Sequence, residues 1–273
     1  MMNTILVATD FSAASVNAAE YAAEMALVVK KDLLLLHIYS LNVSWNQIPL
    51  TTDNTNMSED ADTALNRLRN SLHERTGHKL TIGTEVRTGV FFTELEASCD
   101  RVKPYTVVMG SQGTTAAERF LFGGHTVHAM QNLQWPLVTV PPDARFLYVR
   151  RIGLACDFNN VADITPAPAI TALVKDFNAA LHILNVGKET ELASDIVRES
   201  EVLESLLGEV KPQYHFIAHN DTNQALMDFV ENYHIHLLLV LPRERDFADK
   251  LLHKSHTREL VLKSNVPVMA LHK

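Results

Sequence analysis

The sequence predicts an α/β protein made of two tandem five-stranded parallel sheets, each with helices on both faces. Three observations lead to this prediction. The 273 residues exceed the usual size of one domain, about 100–200 residues. Short continuous apolar runs alternate with longer amphipathic stretches, which is the pattern of parallel strands buried on both faces. The second half of the chain also repeats the first half in the same order of elements.

Five apolar runs in each half predict its strands. Their length, and the turn residues that bound them, are typical of buried strands rather than of helices. In the first half the runs lie at residues 4–9, 33–39, 79–86, 105–110 and 136–141. In the second half they lie at residues 151–157, 180–186, 212–218, 236–241 and 267–272.

Amphipathic stretches between the strands of the first half predict four helices. Ser12 and Ser58 have the residue type and position of N-caps. Residues 41–57 are polar and rich in turn formers, so they predict an irregular insertion over the sheet edge. The predicted helices lie at residues 12–30, 58–77, 91–102 and 125–133.

The ends of the two halves align without gaps. An offset of 131 residues places residues 247–267 on residues 116–136, with Pro136 and Pro267 in register. A repeat of this length indicates duplicated domains, because each copy has enough elements to close a core. We therefore predict a first domain at residues 1–144 and a second at residues 145–273.

Composition and charge exclude several classes of protein. The net charge of -8 offers no broad basic surface for nucleic acid. The longest apolar runs, at 33–36 and 237–241, fall far short of the ~20 residues that span a bilayer, and the N-terminus has no secretion signal. Cys99 and Cys156 lack CxxC spacing, which suits a reducing compartment. We expect a cytoplasmic protein with neither nucleic-acid nor membrane partners.

The strongest functional signal is a glycine-rich segment after the fourth strand. Four of the ten glycines lie within residues 110–124, and the segment leads into the helix that starts near His125. Glycine lets backbone N–H groups approach a ligand, and a helix start favours an anion. The alternative is that these glycines only shape the crossover from strand to helix. The spacing matches neither the P-loop nor G-x-G-x-x-G.

This segment resembles the universal stress protein family, whose ATP-binding members carry G-x2-G-x9-G-[S/T] after the fourth strand. Gly110, Gly113 and Gly123 fit that spacing, and VVMGSQG is very similar to the family's VMGSxG. The opening ILVATDFS is similar to ILVPTDFS, and the His-Ile pair at 37–38 also fits. With the repeat, the resemblance spans nearly the whole chain, and it implies the strand order 3-2-1-4-5.

The resemblance implies a stress-response sensor or regulator that binds ATP or another adenine nucleotide, with Mg. The ligand would lie beyond the carboxyl ends of strands one and four, where the strand order reverses. Asp10 would accept a hydrogen bond from adenine or ribose. The alternative for Asp10 is an N-cap, and both roles can coexist. Ala8 and Ile38 would line the adenine pocket.

One position departs from the family pattern, because Gly124 stands where a Ser or Thr is usual. A hydroxyl donor is therefore missing, and Thr126 is the nearby residue that could replace it. The predicted nucleotide-binding residues are Ala8, Thr9, Asp10, Ile38, Met109, Gly110, Ser111, Gln112, Gly113, Thr114, Gly123, Gly124, His125 and Thr126.

The second half lacks the glycines of this loop. Leu241, Glu244 and Lys254 stand in their places, although Asp157 still ends the first strand. Pro242 has no N–H group, and Glu244 would repel phosphate. We predict that the second copy is degenerate for ATP.

The sequence favours a binding protein over an enzyme. No G-x-S-x-G elbow, HExxH or Cys–His arrangement occurs, so no hydrolytic nucleophile is visible. Two alternatives stay open: a slow ATPase or phosphotransferase, and an interaction scaffold without nucleotide, which Gly124 favours. His253 and His256 have i, i+3 spacing, but surface histidines are commoner than a zinc site.

The last strand of each half predicts self-association, because an exposed edge strand can pair with another strand. The resemblance implies that such strands mediate dimers. We expect the strands at 136–141 and 267–272 to pair with each other inside one chain, and further association into a homodimer is open.

Overall fold

The computed structural model describes residues 3–40, 53–111, 125–187, 194–242 and 263–273. Helices and strands alternate along these segments. The elements of the first half are β1 (Thr4–Ala8), α1 (Ala13–Val29), β2 (Asp32–Tyr39), α2 (Asp53–Arg75), β3 (Ile82–Thr88), α3 (Phe91–Val102), β4 (Thr106–Gly110), α4 (described over 125–132) and β5 (Leu137–Val140). Those of the second half are β6 (Arg151–Ala155), α5 (Val161–Ile164), α6 (Ala167–Phe177), β7 (Ala180–Gly187), α7 (Ser194–Leu207), β8 (Gln213–Ala218), α8 (Thr222–Asn232), β9 (Leu237–Val240) and β10 (Val268–Ala270).

The strands form one sheet in the order β3-β2-β1-β4-β5-β10-β9-β6-β7-β8. Counted from its own first strand, each half has the order 3-2-1-4-5, which confirms the predicted fold class. The prediction of two separate five-stranded sheets is wrong in one respect, because β5 and β10 pair antiparallel and join them. The last strand of each half would otherwise leave its outer N–H and C=O groups unpaired, and these two strands satisfy each other. The predicted pairing within one chain is thus confirmed.

Hydrophobic clusters cover both faces of the sheet. Along β1, Ile5 and Val7 point into the cluster that includes α1, whereas Leu6 and Ala8 point into the cluster that includes α3 and α4. This alternation follows from the two-residue period of a strand, and burial on both faces explains why the strand sequences are continuously apolar. Each cluster contains residues from both halves of the chain, so the halves share their core.

Contacts between the halves also involve the segment that connects β5 to β6. Phe146 in this segment packs between Tyr21 of α1 and Phe177 of α6, with ring centroids 5.1 and 6.5 Å away. The Tyr105 hydroxyl donates to Asp176 Oδ2 over 2.9 Å, which ties the start of β4 to α6.

The helix boundaries agree with the predictions in part. Ser12 caps α1, since its Oγ accepts from the Ser15 N–H, and α3 covers the predicted residues. The prediction for Ser58 is wrong, because α2 begins at Asp53 and places Ser58 inside the helix. A helix can begin with a polar turn that is not packed on the core. The polar residues from Asp53 onwards, which suggested a loop, therefore form the start of α2. The rest of the predicted insertion, 41–52, lies outside the described residues.

Strand β3 is displaced from its predicted position. It covers Ile82–Thr88 instead of 79–86, because Lys79 N–H donates to Thr76 O over 3.3 Å and closes a turn after α2. None of the helices over the described ranges is both long and apolar enough to cross a bilayer.

A pair of histidines lies beside α8. His182 Nδ1 and His215 Nε2 are 3.1 Å apart, and the rings of Phe229 and Tyr233 lie 4.8 and 4.9 Å from the His215 ring. Burial lowers the pKa of both histidines, and His215 and the Arg151 guanidinium lower the pKa of His182 further. Both shifts favour the neutral form of the two imidazoles in the folded protein.

We expect this pair to make the stability depend on pH. Because both folded-state pKa values lie below the ordinary value of 6.5, the unfolded chain binds protons first as the pH falls. The contribution of the pair to the stability of the folded state is complete above pH 6.5. It is lost as the pH falls from there through the folded-state pKa values. Urea unfolding between pH 8 and pH 5 should show a steeper loss of stability for the wild type than for a His182→Asn, His215→Asn double variant. If the free energy of unfolding depended equally on pH in the wild type and the double variant, the histidine pair would not be the source of the pH dependence.

Candidate functional site

The carboxyl ends of β1 and β4 lie side by side in the centre of the first half. The two strands pair in parallel, and β1 continues into α1 on one face of the sheet while β4 leads towards α4 on the other. Adjacent strands whose connections leave on opposite faces open a crevice at their carboxyl ends, where ligands bind in folds of this class. The predicted site residues Asp10 and Gly110 both lie here.

The turn after β1 is fixed by its own side chains. Asp10 Oδ1 accepts hydrogen bonds from the Ser12 N–H over 3.0 Å and from the Ser12 hydroxyl over 2.7 Å. Thr9 Oγ1 accepts from the Phe11 N–H over 3.1 Å and lies 3.0 Å from Ser15 Oγ. Ser12, not Asp10, is the N-cap of α1. Asp10 therefore serves the helix start indirectly and holds its carboxylate at the crevice.

Phe11 adopts a left-handed backbone with φ of 66°, which is costly for a bulky side chain. Its ring packs 4.6 Å from the His37 ring, and His37 Nδ1 lies 2.8 Å from the Thr9 carbonyl oxygen. These contacts hold the turn in its strained form. Sequence reasoning missed Phe11 and this role of His37. The Asp-Phe pair that follows the first strand of both halves was the available signal, since Phe158 repeats the conformation with φ of 50°.

Gly110 brings β4 into direct contact with the start of α1. A Cβ atom at this position would lie 3.0 Å from the backbone carbon and oxygen of Ala14. Ser111 is buried and donates its N–H to Val140 O over 2.9 Å, which keeps the chain in the sheet just beyond β4. The glycine at 110 thus has a packing role that is independent of any ligand.

The Thr126 hydroxyl has a partner within the protein. It is buried and donates to the Gly110 carbonyl over 3.0 Å, so it ties α4 to the end of β4. To replace the hydroxyl missing at Gly124 as a donor to a ligand, Thr126 would have to give up this bond to the Gly110 carbonyl.

His125 opens the described part of α4 and is exposed. Its ring lies 4.9 Å from the ring of Phe91 at the start of α3. Although its side chain reaches solvent, partial loss of hydration against the protein lowers the pKa of His125, and the nearby His128 lowers it further. A neutral imidazole at this position can accept or donate one hydrogen bond to a ligand.

An apolar wall lies on the same side of the sheet as His125. Ala8, Met109 and the partly buried Ile38 belong to one hydrophobic cluster, together with Phe91 and Phe92 of α3. Such a surface suits a flat aromatic base, and the polar groups of Asp10 and the backbone lie at its end. The structure thus brings together Ala8, Thr9, Asp10, Ile38, Met109, Gly110, Ser111, His125 and Thr126 near the ends of the central strands.

The remaining predicted residues, Gln112, Gly113, Thr114, Gly123 and Gly124, lie outside the described residues. The same holds for Glu244 and Lys254 of the second copy, and for His253 and His256.

The second half retains the turn after its first strand. Asp157 Oδ1 accepts from the Asn159 N–H over 3.2 Å. Asn185 Nδ2 donates to the Cys156 carbonyl, which corresponds to the contact between His37 Nδ1 and the Thr9 carbonyl in the first half. The element that follows differs, because α5 has only four residues and Glu199 accepts from the Val161 N–H at its start. The halves share a strand-one turn and differ in what surrounds it.

The described residues form neither a metal site of three or more ligands nor an exposed cysteine thiol. No group of three or more His, Cys, Asp or Glu among them could hold a metal ion. Cys99 and Cys156 are buried, and burial raises the pKa of the Cys99 thiol to about 12, so it stays protonated at neutral pH.

Comparisons with known proteins agree with this fold. The model of the universal stress protein family matches residues 1–141. A universal stress protein from Archaeoglobus fulgidus DSM 4304 is 19% identical, with a TM-score of 0.72 over 100% of this chain and 97% of that chain. A putative universal stress protein from Pseudomonas aeruginosa UCBPP-PA14 is 10% identical, with a TM-score of 0.60 over 99% of this chain and 93% of that one. No curated protein matches the sequence.

Proposed function

Because the chain belongs to the universal stress protein family, we propose that it binds an adenine nucleotide at the carboxyl ends of β1 and β4 and acts as a sensor or regulator in the stress response. The observation that carries the proposal is the fixed turn after β1. Ser12 holds the Asp10 carboxylate at the crevice, and Gly110 lets β4 lie directly against α1 beside it.

Each part of the site suits one part of the ligand. Adenine would lie against Ala8, Ile38 and Met109, whose cluster offers an apolar surface. Asp10 would accept a hydrogen bond from the ribose or the base. The phosphates would meet the glycine segment and the start of α4 at His125.

The contribution of the glycine segment rests on the motif spacing Gly110-x2-Gly113-x9-Gly123. Its backbone N–H groups would hold the phosphates, and Mg would enter with the phosphate oxygens, which are the ligands it prefers. The proposed phosphate-side residues are Ser111, Gln112, Gly113, Thr114, Gly124 and Thr126, with the Thr126 hydroxyl directed to Gly110 O.

We propose that the chain has a first domain at residues 1–144 and that nucleotide binding is confined to it. We also propose that the protein is cytoplasmic. In the proposed second domain, 145–273, Leu241, Glu244 and Lys254 replace the three glycines. A carboxylate in a phosphate-binding loop repels the ligand.

The groups that we assign to the site do not support efficient hydrolysis of ATP. Phosphoryl transfer needs a positioned acceptor, a metal ligand and charges that stabilise the transition state. Asp10 is the carboxylate that we assign near the base and ribose, and its Oδ1 already accepts two hydrogen bonds from Ser12. We therefore propose a binding protein rather than an ATPase.

A scaffold without nucleotide is the second candidate, and Thr126 favours it. With Gly124 in place of Ser or Thr, and with the Thr126 hydroxyl donated to Gly110 O, the phosphate side lacks the hydroxyl donor typical of the family. The missing hydroxyl donor weakens contacts to the triphosphate but not to the base. The binding of AMP would therefore be weakened less than that of ADP or ATP.

Isothermal titration calorimetry with ATP, ADP and AMP tests the proposal. We expect binding of at least one of them to the wild type, and weaker binding by a Gly113→Asp variant, whose carboxylate enters the phosphate loop. The matched change in the second copy, Glu244→Asp, should leave binding unchanged. Failure of all three nucleotides to bind would favour the scaffold, and equal effects of the two variants would refute the assignment to the first half. Phosphate release that a Gly110 variant abolishes would instead indicate an ATPase.

A further inference from the structure

Among the described residues the sheet has ten strands, of which β3 and β8 are the outer ones. The strands for which self-association was predicted, β5 and β10, pair with each other and are not available to a second molecule. Each outer strand presents every second N–H and C=O group away from the sheet, and such an edge can add another strand. The two edges differ in how they are protected.

Charge protects the edge at β3. Glu85 and Arg87 lie within the strand, and the Arg87 Nε donates to Glu94 Oε2 of α3 over 2.7 Å. Arg87 also contacts Glu85 over 3.3 Å, and Arg101 of α3 pairs with the same carboxylate. Charged side chains along an edge disfavour the addition of a further strand.

The described part of the edge at β8 is less protected by charge, with the Glu204 carboxylate of α7 beside Tyr214. The sequence of β8, QYHFIA, contains no Asp, Glu, Lys or Arg. Phe216 at its centre is 47% exposed, although its ring also stacks on Phe158 with centroids 5.7 Å apart. An exposed aromatic side chain on an uncharged edge strand is a typical feature of a strand that pairs with another chain.

The backbone of β8 fixes the register that a partner strand would take. His219 donates its N–H to Gly187 O over 3.0 Å, so residues of odd number face β7. The N–H and C=O groups of Tyr214, Phe216 and Ala218 therefore point outwards. An antiparallel copy of the same strand, centred on Phe216, would place Phe216 opposite Phe216 of the partner subunit and Tyr214 opposite Ala218 of the partner subunit. Each of these pairs exchanges two hydrogen bonds.

We propose that β8 pairs antiparallel with β8 of a second copy of this chain, which gives a homodimer with one continuous sheet. The chain already joins its two halves through an antiparallel pair of edge strands, β5 and β10. The charges at the ends of β8 are complementary, since Lys211 precedes the strand and Asp221, whose Oδ1 also caps α8, follows it. Antiparallel pairing brings the Lys211 end of one copy to the Asp221 end of the other. A two-fold axis through Phe216 makes the contact self-complementary.

Sedimentation velocity over a range of protein concentrations tests the dimer. Phe216→Lys places like charges opposite each other and removes an aromatic pair, so the dissociation constant should rise roughly ten- to fifty-fold. Thr84→Lys adds the same charge to the edge at β3 and should leave the dissociation constant unchanged. A wild-type monomer at all concentrations, or a dimer that Phe216→Lys does not weaken, would overturn the proposal. Circular dichroism of both variants checks that the fold is retained.

Cross-linking tests the register independently. Cα atoms in a hydrogen-bonded antiparallel pair are about 5.5 Å apart, which is within the range that a disulfide spans. Phe216→Cys should therefore form a disulfide-linked dimer under mild oxidation, whereas Thr84→Cys should not. The natural Cys99 and Cys156 are buried and should not interfere. A cross-link at Thr84→Cys with none at Phe216→Cys would assign the contact to the other edge and overturn the proposal.

Discussion

A Gly110→Val variant is expected to unfold with a free energy about 2–3 kcal/mol lower than the wild type. The position leaves almost no room for a side chain, because a Cβ atom would lie 3.0 Å from the backbone of Ala14. Backbone atoms at the start of α1 cannot move aside as a flexible side chain can, so the helix and β4 must separate. That shift would also displace the Asp10–Ser12 turn, and we expect nucleotide binding to weaken roughly ten-fold or more, as a loss of about 1.4 kcal/mol implies.

Gly83→Val is the matched control for this variant. Gly83 also lies in a strand, but its nearest neighbour would be the Leu34 Cδ1 atom at 3.3 Å, which belongs to the flexible end of a side chain. Valine also favours a strand over glycine, so the control should be close to neutral. Urea unfolding of both variants, with calorimetry of nucleotide binding, measures the two effects. Equal stability of the two variants would show that the approach of β4 to α1 does not require glycine.

The strands were the most predictable part of the fold. Burial on both faces of the sheet makes a parallel strand continuously apolar, and the runs in the sequence therefore mark all ten strands. The exception in position, β3, begins late because the chain after α2 first closes a turn at Lys79. Such a turn depends on backbone hydrogen bonds that no apolar pattern records.

The joined sheet was only partly predictable. The apolar pattern of 136–141 and 267–272 indicates strands, and edge pairing between them follows from their unpaired backbone groups. The shared cores on both faces do not follow from the repeat, because the offset of 131 residues treats the halves as independent units. On the α1 face the halves meet where Tyr21 of α1 and Phe177 of α6 pack on Phe146, a contact between distant residues that no local pattern records.

Local sequence cannot predict the details that fix the candidate site. Phe11 would be expected in an extended or helical conformation, and its φ of 66° is held by the packing of its ring on His37 together with the bond from its N–H to Thr9 Oγ1. The direction of the Thr126 hydroxyl is similarly invisible in the sequence, since the same residue could bind a phosphate or the Gly110 carbonyl. Residue type predicts which groups are present, whereas tertiary contacts decide where their protons point.

An Asp10→Ala variant is expected to weaken nucleotide binding roughly ten- to a hundred-fold, since hydrogen bonds to a charged group contribute about 1.5–3 kcal/mol. The carboxylate is held at the crevice by the N–H and hydroxyl of Ser12, so its position does not depend on the ligand. The variant also loses this turn contact, which costs about 0.5–1.5 kcal/mol of stability. Calorimetry with the best-bound nucleotide, and urea unfolding, separate the two effects.

Asp157→Ala provides the control within the same molecule. Asp157 accepts from the Asn159 N–H over 3.2 Å and ends β6 as Asp10 ends β1, so its loss should lower stability by a similar amount. It should leave binding unchanged, because the loop after β9 lacks the glycines. Asp10→Asn, which keeps one oxygen for Ser12, should retain stability and still bind more weakly than the wild type. Equal affinity of the Asp10→Ala and Asp157→Ala variants for the nucleotide would show that the turn after β1 stabilises the fold without contacting a ligand.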